Sequence, residues 1–330
     1  MFTSLINKTV RNISVVKDFI GIHKKIVDDL SDDETAINFS KIDYKMYIAS
    51  SCVTRLYAIF ENYVESLLSD YLDYISELVK FKDLPNEFKG EYRVGISHIL
   101  SKIDNARYSH LNHENVVNWY HDALTGKRKY NFVTEALTRH EQNLRLNTIE
   151  NLFNKIQLNT LRSWLSNNKL IQELYPDGPY TYEQLSSEFS NFIQERNDAA
   201  HGSLDNIEGL ETLDRYCDLV IAVSLALSSY LNKTLIVNSK NKRFIRIGKV
   251  TETFTANGAF IFTSKKGISL QTNSNITFIG EHYCYSLNLD SMQIDGTDIA
   301  GITTITNNLE IGMKCSSHIS RRAIVYLRNN

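Results

Sequence analysis

The spacing of apolar residues changes once along this 330-residue chain, and that change constrains the fold more than any other feature. Between Cys52 and Val79, the residues Val53, Leu56, Phe60, Tyr63, Val64, Leu67, Tyr71, Ile75 and Leu78 recur at three and four. Such spacing makes one broad stripe on a long amphipathic helix. Further helices are expected over 5–30, 42–50, 132–144, 147–156, 159–167, 181–200 and 207–231. Residues 81–131 are polar and less regular, and read as short helices and loops. After Lys233 the pattern becomes RFIRIGKV, GAFIFT, NITFIG, YCYSLNL, LEIGMKC and RAIVYLR, short β-branched or aromatic runs punctuated by Gly, Asn and Asp. Strand-length runs with no helical stretch between them predict a small antiparallel β-sandwich or barrel. The expectation is an α+β chain of two domains: an α-helical bundle over 1–232 and a β-rich accessory domain over 238–330. The boundary falls in NKTLIVNSKNK, 232–242.

Charge divides along the same line. Residues 1–232 hold 24 Lys and Arg against 32 Asp and Glu, a net of −8, whereas residues 233–330 hold 12 against 6, a net of +6. A basic segment of that kind meets nucleic acid or another anion, or complements the acidic part. Cys52, Cys217, Cys284 and Cys315 are scattered, with neither metal-ligand nor redox spacing, and read as reduced thiols of a cytoplasmic protein. The N-terminal MFTSLINKTVRN has no apolar core of a secretory signal. The longest nearly apolar run, 219–231, is shorter than the roughly 18 residues a membrane span needs and reads as a buried helix. No membrane partner and no cofactor are expected.

One helix carries a residue that does not suit its face. Leu185, Phe189, Phe192 and Ile193 share one side of the 181–200 helix, and Arg196 falls near the centre of the same stripe. A guanidinium there requires an anion, because burying it unpaired is costly. Either a carboxylate of this protein or a ligand's phosphate fits, and arginine's planar fork matches phosphate oxygens two at a time. His201 stands five residues on, about 140° around an ideal helix. Gly202 follows as the expected left-handed cap, a turn that would let the ring swing towards Arg196. At a helix C-terminus the imidazolium form is favoured, so His201 reads either as an acid–base group or as a cap on the last carbonyls.

Arg196-Asn197-Asp198-Ala199-Ala200-His201-Gly202 resembles the R-x-x-x-x-H signature of the HEPN superfamily in its R-N-x-x-A-H-G form. The helix at 51–76, with its Tyr-x-x-x-Glu pattern, resembles that superfamily's earlier core helix. RHEQNLRLNTIENLFNKIQL, 139–158, resembles the middle of a bacterial branch found around defence and toxin systems. The likeness covers roughly 45–232. It implies a helical bundle that dimerises, and a metal-independent endoribonuclease in which the ribose 2′-hydroxyl attacks its own phosphodiester. The products are a 2′,3′-cyclic phosphate and a 5′-hydroxyl. By the same resemblance Arg196 clamps the scissile phosphate, His201 is the general acid or base, and Asn197 orients His201 or donates to phosphate. Glu61 is a candidate for holding Arg196 or His201, or is an ordinary solvated glutamate. Asp198 points away on the wheel. One histidine per chain leaves a second acid–base group to be supplied by the dimer mate or another side chain.

Three other signals carry less. His110, His113 and His121 lack cysteines or a carboxylate pattern that would make a metal site. TGKRKY, 125–130, lacks the earlier glycine of a phosphate loop, and its Lys127-Arg128-Lys129 is a solvated loop or an RNA-backbone contact. Lys240-Asn241-Lys242-Arg243, Lys265-Lys266 and Arg321-Arg322, interleaved with Phe244, Phe260, Phe262 and Tyr326, form an RNA-binding face unless the aromatics turn inward as core. The expected partners are RNA (tRNA or mRNA), a second copy of the chain, and an antitoxin or activator protein. The competing readings are a non-catalytic HEPN module that binds RNA or protein, and a regulatory subunit active only in an assembly.

Overall fold

The computed structural model describes residues 1–29, 40–126, 129–175, 178–202, 209–239, 243–254, 258–316 and 319–329. Lys127-Arg128, the Lys240–Lys242 cluster and the expected helix restart near Ile207 lie outside the described residues. The chain divides into two compact units, Met1–Ser228 and Ser229–Asn330.

The first unit is helical: α1 (Thr3–Asp29), α2 (Lys41–Leu78), α3 (Asn86–Ser101), α4 (His113–Thr125), α5 (Glu135–Thr138), α6 (Leu146–Lys155), α7 (Leu161–Ser166), α8 (Lys169–Gln172), α9 (Tyr182–His201) and the start of α10 (Leu210–Asn238). The two expected segments at 42–50 and 51–76 form one helix, α2. Its start is fixed by a capping box, in which the Ser40 side chain accepts from the Asp43 N–H and the Asp43 side chain accepts from the Ser40 N–H. The α2 stripe is buried from Val53 to Ile75, with Phe60, Val64 and Leu67 at 0% exposure. Phe60 meets Phe189 of α9 at 5.1 Å between ring centroids, and Phe192 of α9 meets Tyr216 of α10 at 5.4 Å. The Tyr63 hydroxyl donates to the Ser224 carbonyl of α10 at 2.7 Å. Truncating a filled position such as Phe189 would cost about 3–5 kcal/mol.

Two expectations change here. Residues 81–131, read as short helices and loops, hold the 16-residue α3 and the 13-residue α4. Conversely, the helix expected over 132–144 exists only at Glu135–Thr138, and Arg139 breaks it with extended backbone (ψ 131°). The Tyr92 hydroxyl accepts from the Val133 N–H at 3.0 Å, so tertiary packing and not helical periodicity holds this stretch.

Helix α10 runs on to Asn238, beyond the expected end near 231. Among the described residues it is the one helix whose length and composition would allow it to cross a membrane, but 67% of its most apolar window is buried inside the protein. That burial is what the core helix of a bundle shows. All four cysteines are buried and none forms a disulfide.

The second unit adds β1 (Phe244–Phe254), β2 (Ala259–Ser264), β3 (Ser269–Gln271), β4 (Asn275–Ile279), β5 (Cys284–Ile294), β6 (Thr297–Ile299), β7 (Gly301–Thr303), β8 (Leu309–Cys315) and β9 (Ile324–Arg328) to the end of α10. Strands β4, β9, β1, β2, β8 and β5 pair in that order, and β5 pairs back to β4. Every one of these pairings is antiparallel, so the sheet closes into a six-stranded barrel with β6 appended to β5. Closure removes the exposed edges that an open sheet would present. Ile247, Val250, Phe260, Phe262, Ile276, Phe278, Ile311, Met313 and Val325 fill the interior. Phe260 and Phe262 are therefore core, and Phe244 is also buried, at 7% exposure. Gly248 permits the close packing of β1 on β2, since a Cβ there would stand 2.2 Å from the Thr263 carbonyl oxygen.

Candidate functional site

Helix α9 delivers Arg196 to the end of its apolar stripe. The helix begins at a capping box between Thr181 and Gln184 and ends at Gly202, whose φ of 77° is the left-handed cap. Leu185, Phe189, Phe192 and Ile193 are each at 0% exposure, and Arg196 follows them half-buried. Its guanidinium carbon sits 4.3 Å from the centre of the Tyr57 ring on α2, a cation–π contact. Its Nη1 donates to Asn143 Oδ1 at 3.3 Å and to Asn197 Oδ1 at 3.1 Å. Nε is buried without a hydrogen-bond partner among the described residues. Among the described residues no carboxylate lies within ion-pair distance of Arg196. Of the two anions the sequence allowed, a carboxylate of the protein is therefore not in contact among the described residues.

The cradle is made of neutral groups that fix one another. Asn143 Nδ2 donates to Asn197 Oδ1 at 2.8 Å, which sets both amide orientations so that their oxygens face Arg196. The Tyr57 hydroxyl accepts from the Leu144 N–H at 3.2 Å and has one proton to give. Glu61 Oε1, at 2.9 Å, is a better acceptor for it than Asn143 Oδ1 at 3.4 Å. Burial pushes the Tyr57 phenol up to about 12, with Glu61 acting in the same direction, so the ring stays neutral and keeps that donor.

Glu61 thus joins the site through Tyr57 and makes no direct ion pair with Arg196. Asn197 is held by Asn143 and Arg196, and positions the guanidinium. His201 is the last residue of α9, exposed, and has no hydrogen-bond partner among the described residues. Because α9 is helical through His201, the turn does not swing the ring round, and it stays about 140° from Arg196 on the helix. It shares a face with Asn197, one turn earlier.

Tyr57 is the tyrosine of the Tyr-x-x-x-Glu pattern, whose contact with Arg196 the sequence does not show. Two further groups escape the sequence reading: Asn143 and His140. Both lie in the segment that was expected to be helical and is not. His140 Nδ1 lies 2.8 Å from the Gln142 carbonyl oxygen, and its Nε2 stands 3.3 Å from Glu65 Oε1, one turn beyond Glu61 on α2. The Nε2–Glu65 geometry is that of an ion pair without hydrogen-bond alignment. The Glu65 carboxylate nonetheless raises the pKa of His140 against the opposing effect of burial, with Gln142 and Glu61 adding to the rise. His140 in turn lowers the pKa of Glu65, helped by Arg107 at 3.7 Å. A signal was available: Glu61 and Glu65 extend the Tyr57 face of α2 at four-residue intervals, and a carboxylate pair on one face needs a cation.

No curated protein matches this chain. The solved structures that resemble part of it include two of the C-terminal domain of a protein assigned as a U32 peptidase from Geobacillus thermoleovorans. One is 11% identical with a TM-score of 0.23, covering 26% of this chain and 92% of that one. Its selenomethionine variant is 10% identical with a TM-score of 0.22, covering 26% and 99%. A likeness so slight adds nothing to the reading of either unit. The model of the RiboL-PSP-HEPN family matches residues 22–233, more than half of the chain, and the chain belongs to that family.

Proposed function

We propose that the protein is a metal-independent endoribonuclease and that Arg196 binds the scissile phosphate. The observation that carries this reading is the cradle of neutral groups around Arg196, which orients its guanidinium without neutralising it. A half-buried cation without a carboxylate partner among the described residues is suited to an incoming anion. Family membership is consistent with a ribonuclease-type or otherwise RNA-related module.

In the proposed reaction the ribose 2′-oxygen bonds to phosphorus while the bond from phosphorus to the 5′-oxygen breaks. A base takes the 2′-hydroxyl proton and an acid gives one to the leaving 5′-oxygen. Arg196 stabilises the charge that builds on the phosphorane oxygens. His201 supplies one of the two proton transfers. The other comes from a second copy of the chain in a homodimer or from another side chain. DNA, lacking the 2′-hydroxyl, is not cut. The proposed setting is cytoplasmic, in phage defence or as a toxin.

His201 stands apart from the Arg196 network, which favours a second reading in which the Arg196 site binds RNA without cutting it. Incubating wild type and His201→Ala with total RNA and tRNA in EDTA, and analysing fragment ends, separates the two. Cleavage by wild type alone, with cyclic-phosphate ends, is the expected result. Binding with no cleavage by either protein would establish the second reading instead, and activity restored only by added divalent cation would overturn the mechanism.

A further inference from the structure

The barrel carries its charge on two opposite sides. In a ring ordered β4, β9, β1, β2, β8, β5, the β9–β1 pair lies across from the β8–β5 pair. Arg246 and Lys249 project from β1, Arg328 from β9, and Arg321 and Arg322 stand in the turn entering β9, all of them exposed. The one carboxylate on these two strands is Glu252. Across the barrel, Asp290 of β5, Asp295 of the β5–β6 turn, Asp298 of β6 and Glu310 of β8 are exposed, with Lys314 the only cation on β8. The β1–β9 side and the turn entering β9 thus carry five described cations against one carboxylate.

Backbone irregularities place these side chains. Pairing of β1 with β9 shifts register between Arg246 and Gly248, so Ile247 and Gly248 are both buried and Lys249 returns to the outer face with Arg246. Arg246 stands opposite Tyr326, and Lys249 opposite Ile324. On β9, Val325 and Leu327 pack towards the core, which leaves the half-exposed Tyr326 on the outer face between Arg246 and Thr277 of β4. Arg321 Nε donates to the Thr251 carbonyl at 2.8 Å, holding that guanidinium against β1. Arg322 has a φ of 73° and its N–H donates to the Val250 carbonyl at 2.9 Å. A non-glycine side chain in the left-handed region costs about 1 kcal/mol, and strain of this kind concentrates where a side chain has work to do.

We propose that the β1–β9 face of the barrel is a second RNA-binding surface, with Arg246, Lys249, Arg321 and Arg322 tracking phosphates of a single strand and Tyr326 stacking on a base. Cations interleaved with an exposed aromatic are what a sequence-tolerant single-strand site requires. The opposed acidic side orients an approaching polyanion towards this face. The choice of RNA as occupant rests on the ribonuclease reading. The binding assay needs no cleavage, so a failure of either is seen separately.

The test uses the full chain with Arg196→Ala, so that RNA is not cut, and a labelled 20-nucleotide single-stranded RNA titrated at several salt concentrations. Reversing Arg246, Lys249 and Arg321 to Glu should weaken binding at least tenfold and flatten the salt slope by about two, since each phosphate contact contributes roughly 0.7. Tyr326→Ala should weaken it about fivefold. Lys249→Glu should cost more than Lys314→Glu on the opposite side, which should stay within about twofold of the parent. Equal losses for those two single reversals, or full affinity in the triple variant with an unchanged melting temperature, would overturn the proposal. So would displacement of the RNA by polyglutamate at equal charge concentration, which would make the face a site for acidic protein.

Discussion

Among the described residues, three arginines of the helical unit lie over tyrosine rings, and only one of them has no carboxylate partner there. Arg162 lies 4.5 Å from the Tyr182 ring and pairs with Glu183 at 2.6 Å. Arg215 lies 5.5 Å from the Tyr175 ring and pairs with Glu188 at 2.6 Å, and Glu188 also accepts from the hydroxyls of Tyr175 and Tyr180. Arg196 has the ring, but where the others have a glutamate it has Asn143 and Asn197. The stacking holds each guanidinium in place, and the partner decides whether its charge is spent. At Arg162 and Arg215 the charge is satisfied within the protein. At Arg196 it remains available to a ligand.

The largest effect should come from deleting that available charge. Arg196→Ala should lower RNA cleavage by about 10²–10³-fold in single-turnover assays, the loss typical of removing one group that stabilises transition-state charge. Its melting temperature should stay close to wild type, because no ion pair is broken. The satisfied arginine should behave the opposite way. Glu188→Gln should destabilise the helical unit by about 2 kcal/mol in urea unfolding, through weakened charge-assisted hydrogen bonds from two tyrosines and Arg215. Cleavage should be unaffected.

His140 and Glu65 give a smaller, pH-dependent effect. The folded state raises the pKa of His140, so the stability gained there is complete below the ordinary histidine value near 6.5 and is lost as pH rises through the raised value. It lowers the pKa of Glu65, so that contribution is present above the ordinary glutamate range and lost as pH falls through the lowered value. The pair therefore stabilises most between those two ordinary values, in weakly acidic solution. A melting series from pH 5 to 9 should show stability declining on the alkaline side, and His140→Gln should flatten that decline. An alkaline decline of equal depth in the variant would remove His140 from the account. Smallest of all, Arg162→Ala should leave the urea midpoint almost unchanged, because its pair with Glu183 is exposed.

The sequence made α2 and α9 legible because a helix advertises its buried face at three- and four-residue intervals, and both stripes are buried as read. The antiparallel barrel was legible for the parallel reason, in strand-length runs without helices between them. Arg196 stood out as a charge among Phe189, Phe192 and Ile193. Its cradle did not, since Asn143 and His140 lie where apolar spacing suggested a helix and the packing of Val133 against Tyr92 overrides it. Nor does linear spacing reveal that Asn143 meets Asn197 across 54 residues. The split of the barrel's charge was equally hidden, because it depends on strand order around a closed ring and on the bulge before Gly248.

The most direct test of the central claim changes the partner of Arg196 and leaves the arginine in place. Asn143→Asp is close to isosteric and sets a carboxylate where Asn143 Oδ1 now accepts from Nη1 at 3.3 Å, turning this arginine into one like Arg215. Single-turnover cleavage of a short RNA by a folded Asn143→Asp protein should fall by more than about tenfold, as expected when a charge is diverted from the transition state. A variant that cuts RNA as fast as wild type would show that the uncompensated charge of Arg196 is not what the site uses.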